Sequence, residues 1–189
     1  MKKNILLQTS SQTVGPFFAY SLTSEQYKYD FPSLITGEMR KKKIEGNPVL
    51  ITGNIFDGKG ETLHDAMIEI WHANPDGKYA ISDQEDFLGF GRQGTGTTKD
   101  HSFSFNTYKP GKISHQESPH INITIFARGM LNHLFTRMYF PDEDNQNDIV
   151  LNQIDFDDRP KLISKRLDHN KYKFDIFLQG DKETIFLDI

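Results

Sequence analysis

Two polar side chains, His120 and Asn122, have a spacing that metal sites use. They stand two residues apart in a stretch that alternates polar and apolar residues, so on a β-strand both point to the same face. A histidine at each position would form a pair of metal ligands, but the amide of Asn122 is a poor ligand for a transition metal. The residues alone therefore favour a hydrogen-bonded structural histidine at position 120 over a metal ligand.

A third candidate, Arg128, falls on the same strand face, eight residues after His120. At about 3.3 Å per residue the two are roughly 26 Å apart along a straight strand, too far to serve one small-molecule site within one chain. Gly129 follows directly, so Arg128 is expected to project beyond the end of the strand. The residues leave two roles open: a surface salt bridge, or a fixed positive charge offered to an anionic substrate or a partner.

Other catalytic arrangements have no support in the sequence. There is no cysteine, which excludes disulfides, zinc fingers, iron–sulfur clusters and thiol catalysis. There is no Gly-x-Ser-x-Gly motif of a serine hydrolase. The glycine-rich run GFGRQGTGTT lacks the strand–turn–helix context of a phosphate-binding loop. Asp155, Asp157 and Asp158 lack the spacing of a calcium loop and are expected to be solvated.

Length and charge limit the class of protein and its partners. The 189 residues with net charge −4 predict a single domain over residues 1–189. The mild, unpatterned acidity argues against nucleic acid and anionic membrane as partners. The first ten residues contain only three consecutive apolar residues, whereas a signal peptide needs about seven or more, so a cytoplasmic location is expected. No segment approaches the roughly 18 apolar residues of a membrane span.

The element that must position these side chains is a predicted β-hairpin over residues 119–140. From His120 to Arg128, isoleucines at positions 121, 123 and 125 fall on one face and mostly polar residues fall on the other, which is typical of a half-buried strand. Gly129 to Asn132 favours a chain reversal, and alternation resumes from His133 to Phe140. We therefore expect a hairpin with one face in the core and one polar face that carries the candidate functional side chains.

The rest of the chain is predicted to form short strands separated by turns. Strands are predicted over Val49–Phe56, Ala66–Ala73, Ser102–Thr107, residues 172–178 and Thr184–Ile189. Residues 80–100 are predicted to be loop, and Asp148–Ile154 one short helix. This pattern predicts an all-β fold, a two-sheet antiparallel β-sandwich with long loops and little helix.

An ordered set of segments resembles one known family, the intradiol ring-cleavage dioxygenases. The segments are SQTVGPFF, EIWHANPDGKYA, GFGR, TYKPG, PHINITIFARG, HLFTRMYF, FDIFLQG and ETIFLDI. They span nearly the whole chain and keep the family's order. No single motif is specific, but the ordered set is. The family fold is a β-sandwich, in agreement with the strand pattern.

Within this family the sequence is similar to the α chains of two-chain enzymes. The resemblance implies that a homologous β chain holds a non-haem Fe(III) ion with two tyrosines and two histidines. It also implies that 3,4-dihydroxybenzoate binds this iron and is cleaved by O2 to 3-carboxy-cis,cis-muconate. The α chain would bind no iron itself, would line the β chain's substrate pocket, and would assemble into a higher-order α/β oligomer.

The sequence departs from the iron-binding pattern at the ligand positions. The family's His-x-His stands here as His120-Ile121-Asn122, and the loop after TYKPG, residues 112–116, contains no tyrosine. Tyr79 is assigned to the GKY turn and not to the other tyrosine ligand. We therefore expect no metal site and no catalytic residue in this chain.

The resemblance implies substrate-binding roles for residues of two segments. In the family the SQT-x-GP segment reaches the active site, which selects Thr13, Gly15 and Pro16, and the substrate-site arginine lies in FARG, which is Arg128. Residues 1–20 are expected to form an arm that docks on the partner chain. Two alternatives remain: a self-sufficient intradiol dioxygenase that binds its own iron, and a non-catalytic β-sandwich binding module.

Overall fold

Two β-sheets stacked face to face form the body of the protein. The computed structural model describes residues 10, 12–13, 15, 17–40, 42–82 and 85–188. In chain order the strands are β1 (Pro48–Phe56), β2 (Ala66–Trp71), β3 (Phe90–Gly94), β4 (Ser102–Tyr108), β5 (His120–Ala127), β6 (Leu134–Tyr139), β7 (Lys165–Asp168), β8 (Lys171–Lys173) and β9 (Ile176–Phe177). A short helix α1 (Phe17–Leu22) and two 3₁₀ helices, Leu151–Gln153 and Arg159–Leu162, complete the described elements.

The two sheets have different pairing patterns. The first sheet has the order β4-β1-β8-β7, with β9 also paired to β1. Its β1–β4 pair is antiparallel, but β8 and β9 run parallel to β1. The second sheet has the order β3-β2-β5-β6 and is antiparallel throughout. The predicted all-β sandwich is confirmed, with these parallel pairs as an addition to the antiparallel scheme.

Alternating apolar residues of both sheets fill the space between them. Ile121, Ile123 and Ile125 are at most 2% exposed, which confirms the predicted core face of the hairpin. Across from them, Phe103 and Phe105 of β4 and Ile51 of β1 belong to the same cluster. Because side chains alternate along a strand, burying these residues turns Asn122 and Thr124 to the outer face of the second sheet.

Three expectations about secondary structure are wrong. Residues 90–94, predicted as loop, form β3, since Gly91 and Gly94 allow close packing: a Cβ at Gly91 would meet Met39 Sδ at 2.7 Å. Residues 184–188 form no strand, although the Leu187 amide donates to the Phe135 carbonyl. The predicted strand over 172–178 is divided into β8 and the two-residue β9.

The predicted helix over residues 148–154 is reduced to a three-residue 3₁₀ helix, Leu151–Gln153. The buried Asp148 explains this difference. Its Oδ1 accepts hydrogen bonds from the amides of Val150 (3.0 Å) and Leu151 (2.9 Å) and from the Tyr139 hydroxyl (3.0 Å). An aspartate that binds nearby backbone amides stabilises a turn and competes with a longer helix.

A tight turn over residues 74–78 orients the chain after β2. The Asn74 side chain accepts hydrogen bonds from the amides of Asp76 and Lys78, both at 3.0 Å. Gly77 has φ +78°, and a Cβ there would collide with the Lys112 carbonyl oxygen. The turn is thereby packed against the loop that follows β4. This packing fixes the position of Tyr79, which comes directly after the turn.

Replacing Gly77 with alanine is expected to cost more stability than the same change at Gly60. Both glycines have φ near +78°, but a Cβ at Gly60 meets nothing within 4 Å. Gly60→Ala therefore carries only the left-handed backbone cost of about 1 kcal/mol. Gly77→Ala adds the collision with Lys112, for a total loss of about 2–4 kcal/mol in the free energy of unfolding. Urea unfolding of both variants measures the difference; equal losses would contradict the packing role of this turn.

His72, which follows β2, is completely buried and neutral. Its Nδ1 donates to the Ala73 carbonyl at 2.8 Å, so its Nε2 accepts from the Thr107 hydroxyl at 2.9 Å. Burial lowers its pKa from 6.5 to about 4. In the unfolded chain the same histidine takes up a proton near pH 6.5. Between these two values the unfolded state binds more protons, so the stability that neutral His72 provides is lost as the pH falls.

Acidification from pH 7 to pH 4.5 is therefore expected to lower the free energy of unfolding, with His72 contributing about 2–3 kcal/mol. A His72→Gln variant keeps a side chain that can donate and accept. It is expected to be less stable at pH 7 but to lose less stability on acidification. Urea unfolding at several pH values compares the two slopes. Parallel pH dependences of the wild-type protein and the variant would contradict the assignment.

Candidate functional site

An open cleft of about 1170 Å³ lies on the outer face of the second sheet. The strand register brings the residues of the cleft floor next to one another, because Asn122 pairs with Trp71 of β2 on one side and with Arg137 of β6 on the other. All three are on the face opposite the isoleucine core. Tyr79 enters from the turn after β2, with its ring centre 4.4 Å from that of Trp71. We call this the outer cleft.

A continuous hydrogen-bond network covers the floor of the outer cleft. The Asn122 amide donates to the Tyr79 hydroxyl at 2.8 Å, and its Oδ1 accepts from Arg137 Nε at 3.0 Å. Arg137 Nη1 donates to Glu117 Oε2 at 3.2 Å. The Arg137 side chain is only 20% exposed and that of Glu117 27% exposed. The guanidinium therefore lies at the centre of the network, paired with one carboxylate.

His120 lies beside this network and is fully buried. Its Nδ1 donates to the Ser118 carbonyl at 2.8 Å, which places the lone pair on Nε2. Nε2 is 4.0 Å from Glu117 Oε2 and has no hydrogen-bond partner among the described residues. Burial, reinforced by the charge of Arg137, lowers the pKa of His120. The imidazole is thus neutral, with an unused acceptor atom.

Burial also governs the protonation of Tyr79. It raises the pKa of the Tyr79 phenol, against the opposing effects of Asn122 and Arg137. The phenol is therefore protonated at neutral pH. The sequence interpretation placed Tyr79 only in the turn and missed its contact with Asn122. The turn after β2 is the sequence feature that points to this contact, because it directs Tyr79, two positions after Gly77, back over the sheet.

The outer cleft as it stands does not fit a bound ferric ion. The hydrogen-bond network on its floor, with His120 beside it, offers one imidazole, one protonated phenol, one amide and one carboxylate, and the amide and the carboxylate already bind the Arg137 guanidinium. A metal cation there would lie close to the fixed positive charge of Arg137, which repels it. Throughout the part of the chain that the structure describes, no three His, Cys, Asp or Glu side chains are close enough to hold a metal ion.

Arg128 lies at the far end of β5, away from the outer cleft. Its Nε donates to Asp65 Oδ2 at 2.9 Å, and the side chain remains 57% exposed. The following amide, that of Gly129, donates to Thr13 Oγ1 at 2.7 Å. Two of the residues selected from the sequence, Thr13 and Arg128, are thus brought together. We call this group, Thr13, Asp65, Arg128 and Gly129, the Arg128 corner.

The other selected residues are only partly placed by the structure. The Gly15 carbonyl accepts from the Phe18 amide at 3.3 Å, and a Cβ at Gly15 would meet nothing within 4 Å. Pro16 lies outside the described residues. Beside the Arg128 corner, Tyr20 of α1 packs edge-on against Tyr27 at 5.0 Å between ring centres. The two rings and Arg128 border a small pocket of about 170 Å³.

The helices in the described part of the chain all fall short of the length and apolar character of a membrane span.

Comparison with solved structures relates the fold to dioxygenases. An intradiol ring-cleavage dioxygenase from Tetranychus urticae superimposes with a TM-score of 0.62, covering 83% of this chain and 94% of that one. The sequence identity is 17%, so the likeness concerns the fold alone.

Comparison of sequences is more specific. The family model described as dioxygenase matches residues 32–180. The protocatechuate 3,4-dioxygenase alpha chain of Burkholderia cepacia is 43% identical, over 97% of this chain and 98% of that one. The alpha chain of Pseudomonas putida is 37% identical over the full length of both. The Burkholderia cepacia beta chain is 31% identical, over 74% of this chain and 67% of that one. The family match over most of the chain and the two full-length relatives show that the chain belongs to the intradiol ring-cleavage dioxygenase family.

Proposed function

We propose that this chain is the α subunit of a protocatechuate 3,4-dioxygenase and completes an active site whose iron is held by a β subunit. Full-length similarity to two alpha chains supports this proposal. The similarity to a beta chain supports a partner of the same fold. The observation that carries the assignment of roles is the Arg137 guanidinium, which lies at the centre of the polar network of the outer cleft, bound to Asn122 and Glu117, and opposes the binding of a cation there.

The proposed substrate is 3,4-dihydroxybenzoate, cleaved by O2 between its hydroxylated carbons to 3-carboxy-cis,cis-muconate. The ferric ion of the β subunit would bind the two catechol oxygens and supply the oxidative chemistry. This chain would provide Thr13, Gly15, Pro16 and Arg128 to the wall of the pocket. Residues 1–20 would form the arm that reaches the β subunit, within a higher-order α/β assembly.

The Arg128 corner supports a role in binding the substrate carboxylate. The salt bridge to Asp65 uses Nε of Arg128, while more than half of the side chain is exposed. Asp65 thus fixes the direction of the guanidinium and leaves part of it open to an anion. The bond from Gly129 to Thr13 joins the N-terminal segment to the same place. A guanidinium is suited to a carboxylate because its N–H groups match the two oxygens.

Changing Arg128 to alanine in the α/β complex is expected to raise KM for 3,4-dihydroxybenzoate about ten- to a hundredfold, the effect of a charge-assisted hydrogen bond of about 1.5–3 kcal/mol. Catechol lacks the carboxylate, so its weaker turnover should change little. Iron content should stay the same, because the iron belongs to the other subunit. Steady-state kinetics with both substrates and metal analysis make these measurements.

Arg166→Ala is a matched control, since Arg166 is an exposed arginine on edge strand β7 of the other sheet, bound to Asp142. It should leave both substrates unaffected. An equal loss with catechol and 3,4-dihydroxybenzoate would show that Arg128 does not recognise the carboxylate. Stoichiometric iron in this chain purified alone would overturn the α-subunit role and favour a self-sufficient dioxygenase.

A further inference from the structure

Strand β3 is an edge of the second sheet, and a glutamine side chain takes the place of a neighbouring strand. The Thr95 amide donates to the Ala66 carbonyl at 2.9 Å, so the preceding residue, Gly94, directs its own N–H and C=O away from β2. The Gly94 amide donates to Gln26 Oε1 at 2.8 Å, and Gln26 Nε2 donates back to the Gly94 carbonyl at 2.6 Å. The same Nε2 donates to Thr97 Oγ1 at 2.7 Å. The Gln26 amide therefore satisfies backbone groups that an edge strand leaves unpaired.

A tight turn over residues 24–29 presents Gln26 and the next residue, Tyr27, to this edge. The Tyr27 and Tyr29 amides both donate to the carbonyl of the fully buried Ser24, at 3.1 and 3.0 Å. Lys28 has φ +61°, a left-handed conformation that a residue with a side chain rarely adopts. Because such a turn persists only where its surroundings support it, the contacts with β3 help to hold it in place.

Tyr27 connects the edge of β3 with the Arg128 corner. Its hydroxyl lies against two backbone positions that lack a side chain: a Cβ at Gly94 would be 3.0 Å from Tyr27 Oη, and one at Gly96 would be 2.6 Å from it. The ring also packs edge-on against Tyr20 of α1, with 5.0 Å between ring centres. Both rings border the pocket of about 170 Å³ that Arg128 lines. The position of Tyr27 therefore helps to define the space beside the guanidinium.

The arm that precedes α1 is held at a second point. Thr13 Oγ1, four positions before α1 begins, accepts from the Gly129 amide at 2.7 Å. Only seven positions separate Thr13 from Tyr20, so the two contacts constrain one short piece of chain. A shift of Tyr20 away from Tyr27 would therefore disturb the bond between Thr13 and Gly129, which lies within the Arg128 corner.

We infer that Gln26 is a positioning residue for substrate binding: its pairing with the edge of β3 places Tyr27, α1 and the N-terminal arm against the Arg128 corner. Gln26 does not touch the substrate and acts through Tyr27 and Tyr20. The effect on the substrate rests on the proposed function, whereas the position of the arm does not.

The first test is the kinetics of the α/β complex with Gln26→Leu, which keeps a side chain of similar size but makes none of the three hydrogen bonds of the Gln26 amide. KM for 3,4-dihydroxybenzoate is expected to rise about three- to tenfold while kcat stays within about twofold, because a displaced arm alters binding and not the iron chemistry.

Hydrogen exchange of the same complexes, measured by mass spectrometry, tests the connection directly. Peptides that contain Gly94 report the pairing with Gln26, and peptides that contain Gly129 report the bond to Thr13. In Gln26→Leu both sets of peptides should exchange at least about fivefold faster. If Gln26 only protected the edge of β3, the peptides with Gly94 alone would respond.

Two further variants make the comparison specific. Gln146→Leu is a matched control, since Gln146 is an exposed glutamine in the loop after β6, which lies near the start of β5 and away from Arg128. It should leave KM and both sets of peptides unaffected. Gln26→Glu keeps the acceptor for the Gly94 amide but loses the bonds donated to the Gly94 carbonyl and to Thr97. It should change KM and exchange in the same direction as Gln26→Leu, so the test does not depend on the folding of one variant.

The outcomes separate this inference from the proposed function. Faster exchange at Gly94 with unchanged exchange at Gly129 and unchanged KM overturns the inference, because Gln26 would then only protect the edge strand. A rise in KM of the same size after Gln146→Leu also overturns it. Faster exchange at both glycines with unchanged KM supports the positioning of the arm by Gln26 and contradicts instead the proposed role of the arm in the substrate pocket.

Discussion

The two-residue alternation of β5 is the constraint on which the rest of the molecule depends. Its isoleucines pack between the sheets, while His120 and Asn122 face the other way. A slip of one residue against β2 or β6 would exchange these two sets and bury polar atoms in the core. The register is therefore strongly fixed, and the outer cleft inherits its geometry from the packing of the core.

One strand thus supports two different chemical environments at its two ends. Near its start Asn122, Arg137 and Glu117 are partly buried and hydrogen-bonded to one another, with Arg137 paired to Glu117. Beyond its end Arg128 is exposed and only partly engaged by Asp65. Both are arginines paired with one carboxylate, but burial makes one a component of a closed network and exposure leaves the other open to a ligand.

The parts of the fold that sequence reasoning predicted correctly are those with strict alternation. The hairpin and its isoleucine face follow from a period of two, and β1 and β4 from short alternating runs. Strand β3 was missed because its glycines resemble a loop, whereas Gly91 is required by the approach of Met39. The short helix was overestimated because the capping preference of Asp148 depends on tertiary partners, including Tyr139. Such contacts do not appear in local sequence.

The candidate site was predictable to a similar degree. Alternation placed His120 and Asn122 on one face, and the spacing correctly separated both from Arg128. The network that unites Asn122 with Tyr79 and Arg137 was not foreseen, because these residues come from three separate segments whose proximity depends on strand register. The contact between Thr13 and Gly129 spans 116 positions and is likewise invisible in a local pattern.

The parallel pairing of β1 with β8 and β9 has a consequence for the order of folding. β1 cannot complete its hydrogen bonds until the ribosome has made the chain as far as β9; the Asn54 amide, for example, bonds to Asp175, 121 positions later. The second sheet needs only residues 66–139. During synthesis it can therefore assemble first, while one side of β1 remains an unpaired edge that nascent-chain chaperones are suited to protect.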